Sequence, residues 1–159
     1  SFDRALQRDP NNLAGLIGRA EIQVERREWD QALAYLEPLL ESNPWNCDVI
    51  RLAAHACARK HDLVRARDLY ERATFINPDD RDAYMGMGTV YKEMMKLDQA
   101  ISAFDEVLRI DPKNAAALFN AGFCHLLLGD RGEARARYKS LRFIDPESAE
   151  QLFKMIYDK

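Results

Sequence analysis

Cysteine, glycine, long apolar runs and excess positive charge are all scarce in these 159 residues, and each shortage removes a class of function. The three cysteines, Cys47, Cys57 and Cys124, are an odd number in unrelated settings, so a disulfide framework is not expected. A structural zinc site wants four ligands, usually in two close pairs. Cys57 and His61 supply one such pair and no second accompanies it, so a packed thiol beside a loop histidine is the simpler reading. Buried thiols acting as small apolar residues lean the chain towards the cytosol. Glycines number seven, with no glycine-rich loop to cradle a phosphate, no nucleophile motif and no supported carboxylate pair. An enzyme, a cofactor and a small-molecule substrate are therefore not expected. No run approaches the roughly 18 apolar residues of a membrane span. With 23 basic against 26 acidic residues the net charge is −3 and the pI about 5.7, so no global field draws nucleic acid or an anionic membrane.

Proline is also sparse, six residues in all, but five of them keep one interval. Pro10, Pro44, Pro78, Pro112 and Pro146 are 34 residues apart, and each follows Asp or Asn: Asp9, Asn43, Asn77, Asp111 and Asp145. The residue before proline is pushed out of the α region, and proline itself suits a helix start, so each mark ends one helix and begins the turn to the next. A fixed period of this size is the signature of stacked supersecondary units. Four complete units follow, 13–46, 47–80, 81–114 and 115–148. Residues 1–12 are expected to be the end of a preceding second helix, and 149–159 a capping helix or the start of a further unit. The chain opens in mid-unit without Met, which suggests a segment of a larger protein.

Within the units two small-residue columns recur, Ala20, Ala54, Gly88, Gly122 and Ala32, Ala66, Ala100, Ala134. Bulky residues stand four away: Leu16, Ile50, Tyr84 and Leu118 before the first column, Leu36, Tyr70, Phe104 and Tyr138 after the second. Spacing of i, i+4 puts each pair on one helix face, so two antiparallel helices per unit cross where the small residues meet. First helices are predicted near 13–26, 47–60, 81–94 and 115–128, second helices near 30–42, 64–75, 98–109 and 132–142. The breaks fall at Arg27-Glu28, His61-Asp62, the stretch from Met95 to Asp98, and Gly129-Asp130. Pro38, inside the second helix of the first unit, is expected to kink that helix or delay its start.

These columns resemble the tetratricopeptide repeat family. The unit 81–114 carries the pattern most fully, in Tyr84, Met87, Gly88, Tyr91, Ala100, Phe104 and Pro112, with Val107 where the family most often has Ala. The unit 13–46 departs furthest, with Arg19 and Gln23 at apolar positions. The resemblance implies an all-α right-handed superhelix, a solenoid of 34-residue helix-turn-helix repeats, whose first helices line a concave groove for a protein or peptide partner. The residues beside the packing face are then Ile17, Glu21 and Val24; Asp48, Arg51 and His55; Asp82, Met85, Thr89 and Lys92; Ala116, Phe119, Asn120, Phe123 and Leu126. Phe119 and Phe123 exceed what packing requires and mark a partner site, unless Leu152, Phe153, Ile156 and Tyr157 cover them. One family subtype grips a chaperone's carboxylate tail with Lys, Asn and Arg. At the matching positions this chain has Ile17, Glu21, Leu52, Asp82 and Gly86, or one unit later Arg51, His55, Gly86, Ala116 and Asn120, so that ligand is not expected. An amphipathic helix or extended apolar peptide fits better, selected by Asp48, Arg51 and Asp82. The alternative is a structural element that associates with itself through an unpaired repeat face. A weaker option is RNA or an acidic partner on Arg131, Arg135, Arg137, Lys139 and Arg142. Those charges read as spread around the helix with no interleaved aromatics, which favours a solvated face.

Overall fold

The computed structural model describes residues 10–157, so the partial repeat expected over 1–12 lies mostly outside the described residues. Among them are nine helices and no strand: α1 (Pro10–Glu25), α2 (Trp29–Ser42), α3 (Cys47–Arg59), α4 (Leu63–Ile76), α5 (Arg81–Glu93), α6 (Leu97–Ile110), α7 (Ala115–Leu127), α8 (Arg131–Leu141) and α9 (Pro146–Tyr157). The fold class is the all-α helix-turn-helix repeat. The 34-residue period is kept in the helix starts, at Trp29, Leu63, Leu97 and Arg131, and again at Cys47, Arg81 and Ala115. The chain divides into two compact units between Pro78 and Asp79. In the first, α1 packs on α2 and α3, α2 on α3, and α3 on α4; in the second, α5 to α9 pack in succession and α9 also reaches α7.

Two kinds of turn alternate. Ahead of α3, α5 and α7 the side chains of Asn46, Asp80 and Asn114 accept hydrogen bonds from the backbone N–H of Val49, Ala83 and Ala117 at 3.1, 2.9 and 3.0 Å. These N-caps satisfy donors that a helix start leaves open, and they fix where each first helix begins. In α9 the cap moves three residues upstream: Asp145 accepts from the N–H and the hydroxyl of Ser148, at 3.1 and 2.6 Å, and the helix starts at Pro146 itself. The second kind of turn places Arg27, His61, Met95 and Gly129 in the left-handed region, with φ of 61°, 61°, 58° and 83°. Each closes the same pair of bonds, such as Met95 N–H to the Lys92 carbonyl at 3.0 Å and Lys96 N–H to the Tyr91 carbonyl at 2.9 Å. This is the Schellman ending, which normally selects glycine; three of the four repeats use it with a side chain present.

Pro38 neither delays nor interrupts its helix. α2 starts at Trp29, earlier than expected, and runs through Pro38 to Ser42, with Leu36, Leu39 and Leu40 buried around the proline and the Ser42 hydroxyl donating to the Pro38 carbonyl at 2.8 Å. Burying those leucines, at about 1.5–3 kcal/mol each, offsets the loss of one backbone bond.

The small columns are the helix crossings. Ala20, Ala32, Ala54, Ala66, Ala100 and Ala134 have no exposed surface. At Gly88 an added Cβ would stand 2.6 Å from Cε1 of Phe104, a ring with no exposed surface, so the glycine is required by that ring. The second unit holds two contiguous apolar clusters. One contains Leu97, Phe104, Val107, Ala121 and Cys124; the other contains Leu118, Ala134, Leu141, Leu152 and Ile156, so α9 contributes core residues and closes the α7–α8 pair.

Candidate functional site

In the first unit, α3 carries Asp48, Arg51 and His55. The Arg51 guanidinium pairs with the Asp48 carboxylate at 2.9 Å across one turn. His55 stands edge-on to Trp29 of α2, ring centroids 5.8 Å apart, and the Arg59 guanidinium lies over the same indole at 5.7 Å. Partial desolvation by these neighbours, with the Arg59 charge second, holds the His55 pKa below 6.5, so the ring is neutral at physiological pH. On α1, Ile17 and Val24 are half-buried and Glu21 is exposed. The chemistry of this face is a charge pair, a neutral imidazole and an aromatic wall. It offers hydrogen bonds and apolar contact.

In the second unit the expected residues lie on α5 and α7. Asp82 is exposed beside Arg81, at 3.4 Å, while Met85 is half-buried and packs on the Phe104 cluster. The Thr89 hydroxyl donates back to the Met85 carbonyl at 3.0 Å. Lys92 joins the two helices: its ammonium donates to Oδ1 of Asn120 at 2.5 Å and sits 6.0 Å from the centroid of the Phe123 ring. Nδ2 of Asn120 donates to the Ala116 carbonyl at 2.8 Å, which fixes the amide in place. Lys92, Asn120 and Phe123 thus form one preorganised cluster, half-buried and accessible.

Phe119 and Phe123 share a stripe in sequence but not a role in the fold. Phe119 and Leu126 pack against the cluster of Leu118, Leu141, Leu152 and Ile156. Both rings are half-buried, and Phe123 lies beneath the Lys92 ammonium. Of the four α9 residues expected to act as a cover, Leu152 and Ile156 are fully buried, whereas Phe153 and Tyr157 stay 37% and 45% exposed. The thiols of Cys57 and Cys124 are buried, and burial raises the pKa of both, so neither is a ready nucleophile or ligand. No group of three or more His, Cys, Asp or Glu residues suited to a metal ion is present among the described residues, and no described helix is long and apolar enough to cross a membrane. A cavity of about 330 Å³ opens between α5 and α6, lined by Tyr84, Met87, Tyr91, Ser102 and Ala103 together with Asp98 and Glu106.

A family model described as tetratricopeptide repeat matches residues 24–90 and 91–154. Among curated proteins, the chain is 25% identical over 114 residues to the general transcriptional corepressor ssn6 of Schizosaccharomyces pombe, covering 70% of this chain. It is 22% identical over 150 residues to the general transcription factor 3C polypeptide 3 of Homo sapiens, covering 94%. The chain spans only 10% and 17% of the length of those two proteins. Among solved structures, the MamA protein superposes with a TM-score of 0.79 at 25% identity, over 97% of this chain and 81% of that one. The first repeat domain of Spaghetti (RPAP3), solved with an HSP90 peptide, superposes with a TM-score of 0.73 over 76% of this chain and 96% of that one; at 20% identity it is alike in fold alone.

Proposed function

Because the chain belongs to the tetratricopeptide repeat family and is on that ground a protein-interaction scaffold, we propose that it binds an amphipathic helix or extended apolar peptide of a partner protein on its first-helix face, and that it does so without catalysis. The observation that carries this reading is the Lys92–Asn120–Phe123 cluster. Packing of α7 is already served by Ala117, Leu118, Ala121, Gly122 and Cys124, so Phe123 is apolar surface held accessible beside a cation. On α5 Met85 adds a soft apolar contact and Asp82 a charge, and in the first unit Asp48 and Arg51 offer charges of their own for partner discrimination. A neutral His55 beside Trp29 suits a partially apolar ligand in the first unit. Phe119, equally half-buried, packs against the Leu118, Leu152 and Ile156 cluster, which supports a packing role for it and a binding role for Phe123.

The experiment is a pull-down from host lysate with the 159-residue chain, its Phe123→Ser variant and its Phe119→Ser variant, alongside thermal unfolding of all three. Phe123→Ser is expected to keep the parent's helicity, to lose no more than about 1 kcal/mol, and to lose one captured band. Phe119→Ser is expected to cost roughly 1–3 kcal/mol, since its half-buried ring packs against the α7–α9 cluster. Capture of the same band by the parent and by Phe123→Ser would remove the α5–α7 face as the site.

A further inference from the structure

The basic residues of α8 and its C-cap, Arg142, are more ordered than their sequence suggests. Arg137 leaves the group: it pairs with Asp105 of α6 at 2.9 Å, and its Cβ lies 3.2 Å from where a Cβ at Gly122 would stand. The four that remain, Arg131, Arg135, Lys139 and Arg142, follow steps of four, four and three residues. At 100° per residue they fall within about 80° of arc, a single stripe. All four are exposed, and none makes an ion pair among the described residues. Glu133, the acid on α8, points to about 200° from Arg131 and so to the other side. The carboxylate of Glu150 on α9 is held by Lys154 at 3.5 Å.

Contrary to the reading of α8 as lacking interleaved aromatics, Tyr138 stands between Arg137 and Lys139, and further rings arrive from the following segment. The Arg135 guanidinium lies over the Tyr157 ring at 5.1 Å, and that of Arg142 over the Phe143 ring at 4.3 Å. Tyr157 packs on Phe153 at 4.4 Å, and Phe153 on Tyr138 at 5.4 Å. Phe143 is 77% exposed, a large ring on the surface beneath the Arg142 guanidinium. We propose that this cation-and-ring strip along α8 and α9 is a second docking surface, and that it takes an acidic protein segment in which carboxylates alternate with apolar side chains.

The choice of occupant follows from what is already stacked. Base recognition needs free ring faces, but one face of Tyr157 and one of Phe143 are covered by guanidiniums, and Phe153 is packed between two tyrosines. A stacked guanidinium still presents its N–H edge outward, in the planar fork that matches a carboxylate. Apolar side chains of the partner then meet the outer surfaces of Phe143 and Tyr157 between the ion pairs. The surface carries no demand on the Lys92–Asn120–Phe123 cluster, so the two readings stand or fall separately.

The test is fluorescence anisotropy on the 159-residue protein with a labelled twelve-residue peptide of repeating Glu-Leu-Asp-Phe. Its Lys-for-carboxylate counterpart and labelled oligo(U) of equal length serve as the comparison probes. Saturable binding of the acidic peptide is expected, weakening as salt rises, with neither comparison probe binding as well. The Arg135→Ala/Arg142→Ala double variant should raise Kd about five- to tenfold. Both residues are exposed, so circular dichroism is expected to be unchanged; the charge reversal Arg131→Glu/Lys139→Glu gives an independent pair if it is not. Absence of acidic-peptide binding, an unchanged Kd in both variant pairs, or tighter binding of oligo(U) would each overturn the proposal.

Discussion

Gly88 and Gly122 hold the same position in successive repeats, yet they face different obstacles. A methyl at Gly88 would sit 2.6–2.9 Å from three atoms of the Phe104 ring, which is enclosed and cannot turn away. A methyl at Gly122 would meet the Cδ2 end of Leu152 at 2.8 Å, a flexible terminus, and Cβ of Arg137 at 3.2 Å. Gly88→Ala is therefore expected to lose about 1–3 kcal/mol even after the better helix propensity of alanine, and Gly122→Ala less than about 1 kcal/mol. Urea unfolding of the pair measures the contrast; equal losses would mean that the ring moves freely. The left-handed turn gives the converse case. Met95, at φ 58° and 67% exposed, carries a strained backbone with little packing to justify its side chain, so Met95→Gly is expected to raise stability by about 0.5–1 kcal/mol. Gly129→Ala, at φ 83° with nothing within 4 Å of the new methyl, should lose about 1 kcal/mol from backbone strain alone. A denaturant midpoint that fails to move upward for Met95→Gly would show that the turn is held by something besides its torsion.

The second helices start on one backbone geometry but not with equal caps. Asp62 and Asp130 accept from the N–H of Arg65 at 3.3 Å and of Glu133 at 3.1 Å, whereas Glu28 and Lys96 make no side-chain cap bond. The torsions barely differ, −89° and 70° at Lys96 against −83° and 78° at Asp130, so an aspartate at 96 would find the N–H of Gln99 in place. Lys96→Asp is expected to stabilise by about 0.5–1 kcal/mol, with the carboxylate also favoured by the positive end of α6. Replacing Asp130 by alanine should lose a similar amount. Thermal unfolding checks both, and the reading fails if Lys96→Asp lowers the midpoint. Much of this level was legible before any coordinates, because the proline interval and the small-residue columns report backbone punctuation and close approach directly. The Schellman turns at Arg27, His61 and Met95 were less so, since only Gly129 carries the residue type that such a turn prefers; the 34-residue spacing from Gly129 was the available signal. Pro38 misled for a related reason, as propensity sees the lost hydrogen bond but not the leucines that surround it.

For the whole molecule, periodicity located faces and could not tell which of them another element covers. Phe119 and Phe123 lie on one stripe and are both half-buried, yet the position of α9 sets one against the Leu152 and Ile156 cluster and leaves the other beside Lys92. The basic residues of α8 read as a solvated face in sequence because Tyr138 was passed over, because the other rings belong to α9 and to the turn before it, and because Arg137 blurred the pattern of the other four. The role of α9 as a cover therefore carries a consequence that can be measured. Leu152 and Ile156 are fully buried against Leu118 and Leu141, and together their burial contributes roughly 3–6 kcal/mol, a large share of the 5–15 kcal/mol that a domain usually has. A chain ending at Asp145 would expose Leu118, Phe119, Leu126 and Leu141 as one apolar patch, the kind that drives association. That truncation is expected to lower the unfolding temperature and to give a light-scattering mass that rises with concentration. The Phe153→Ser/Tyr157→Ser pair, altering the exposed side of the same helix, should leave the mass as in the parent. A truncated chain whose mass is independent of concentration and whose unfolding temperature matches the parent's would mean that α7 and α8 complete their own core, and that α9 is not the cover its contacts describe.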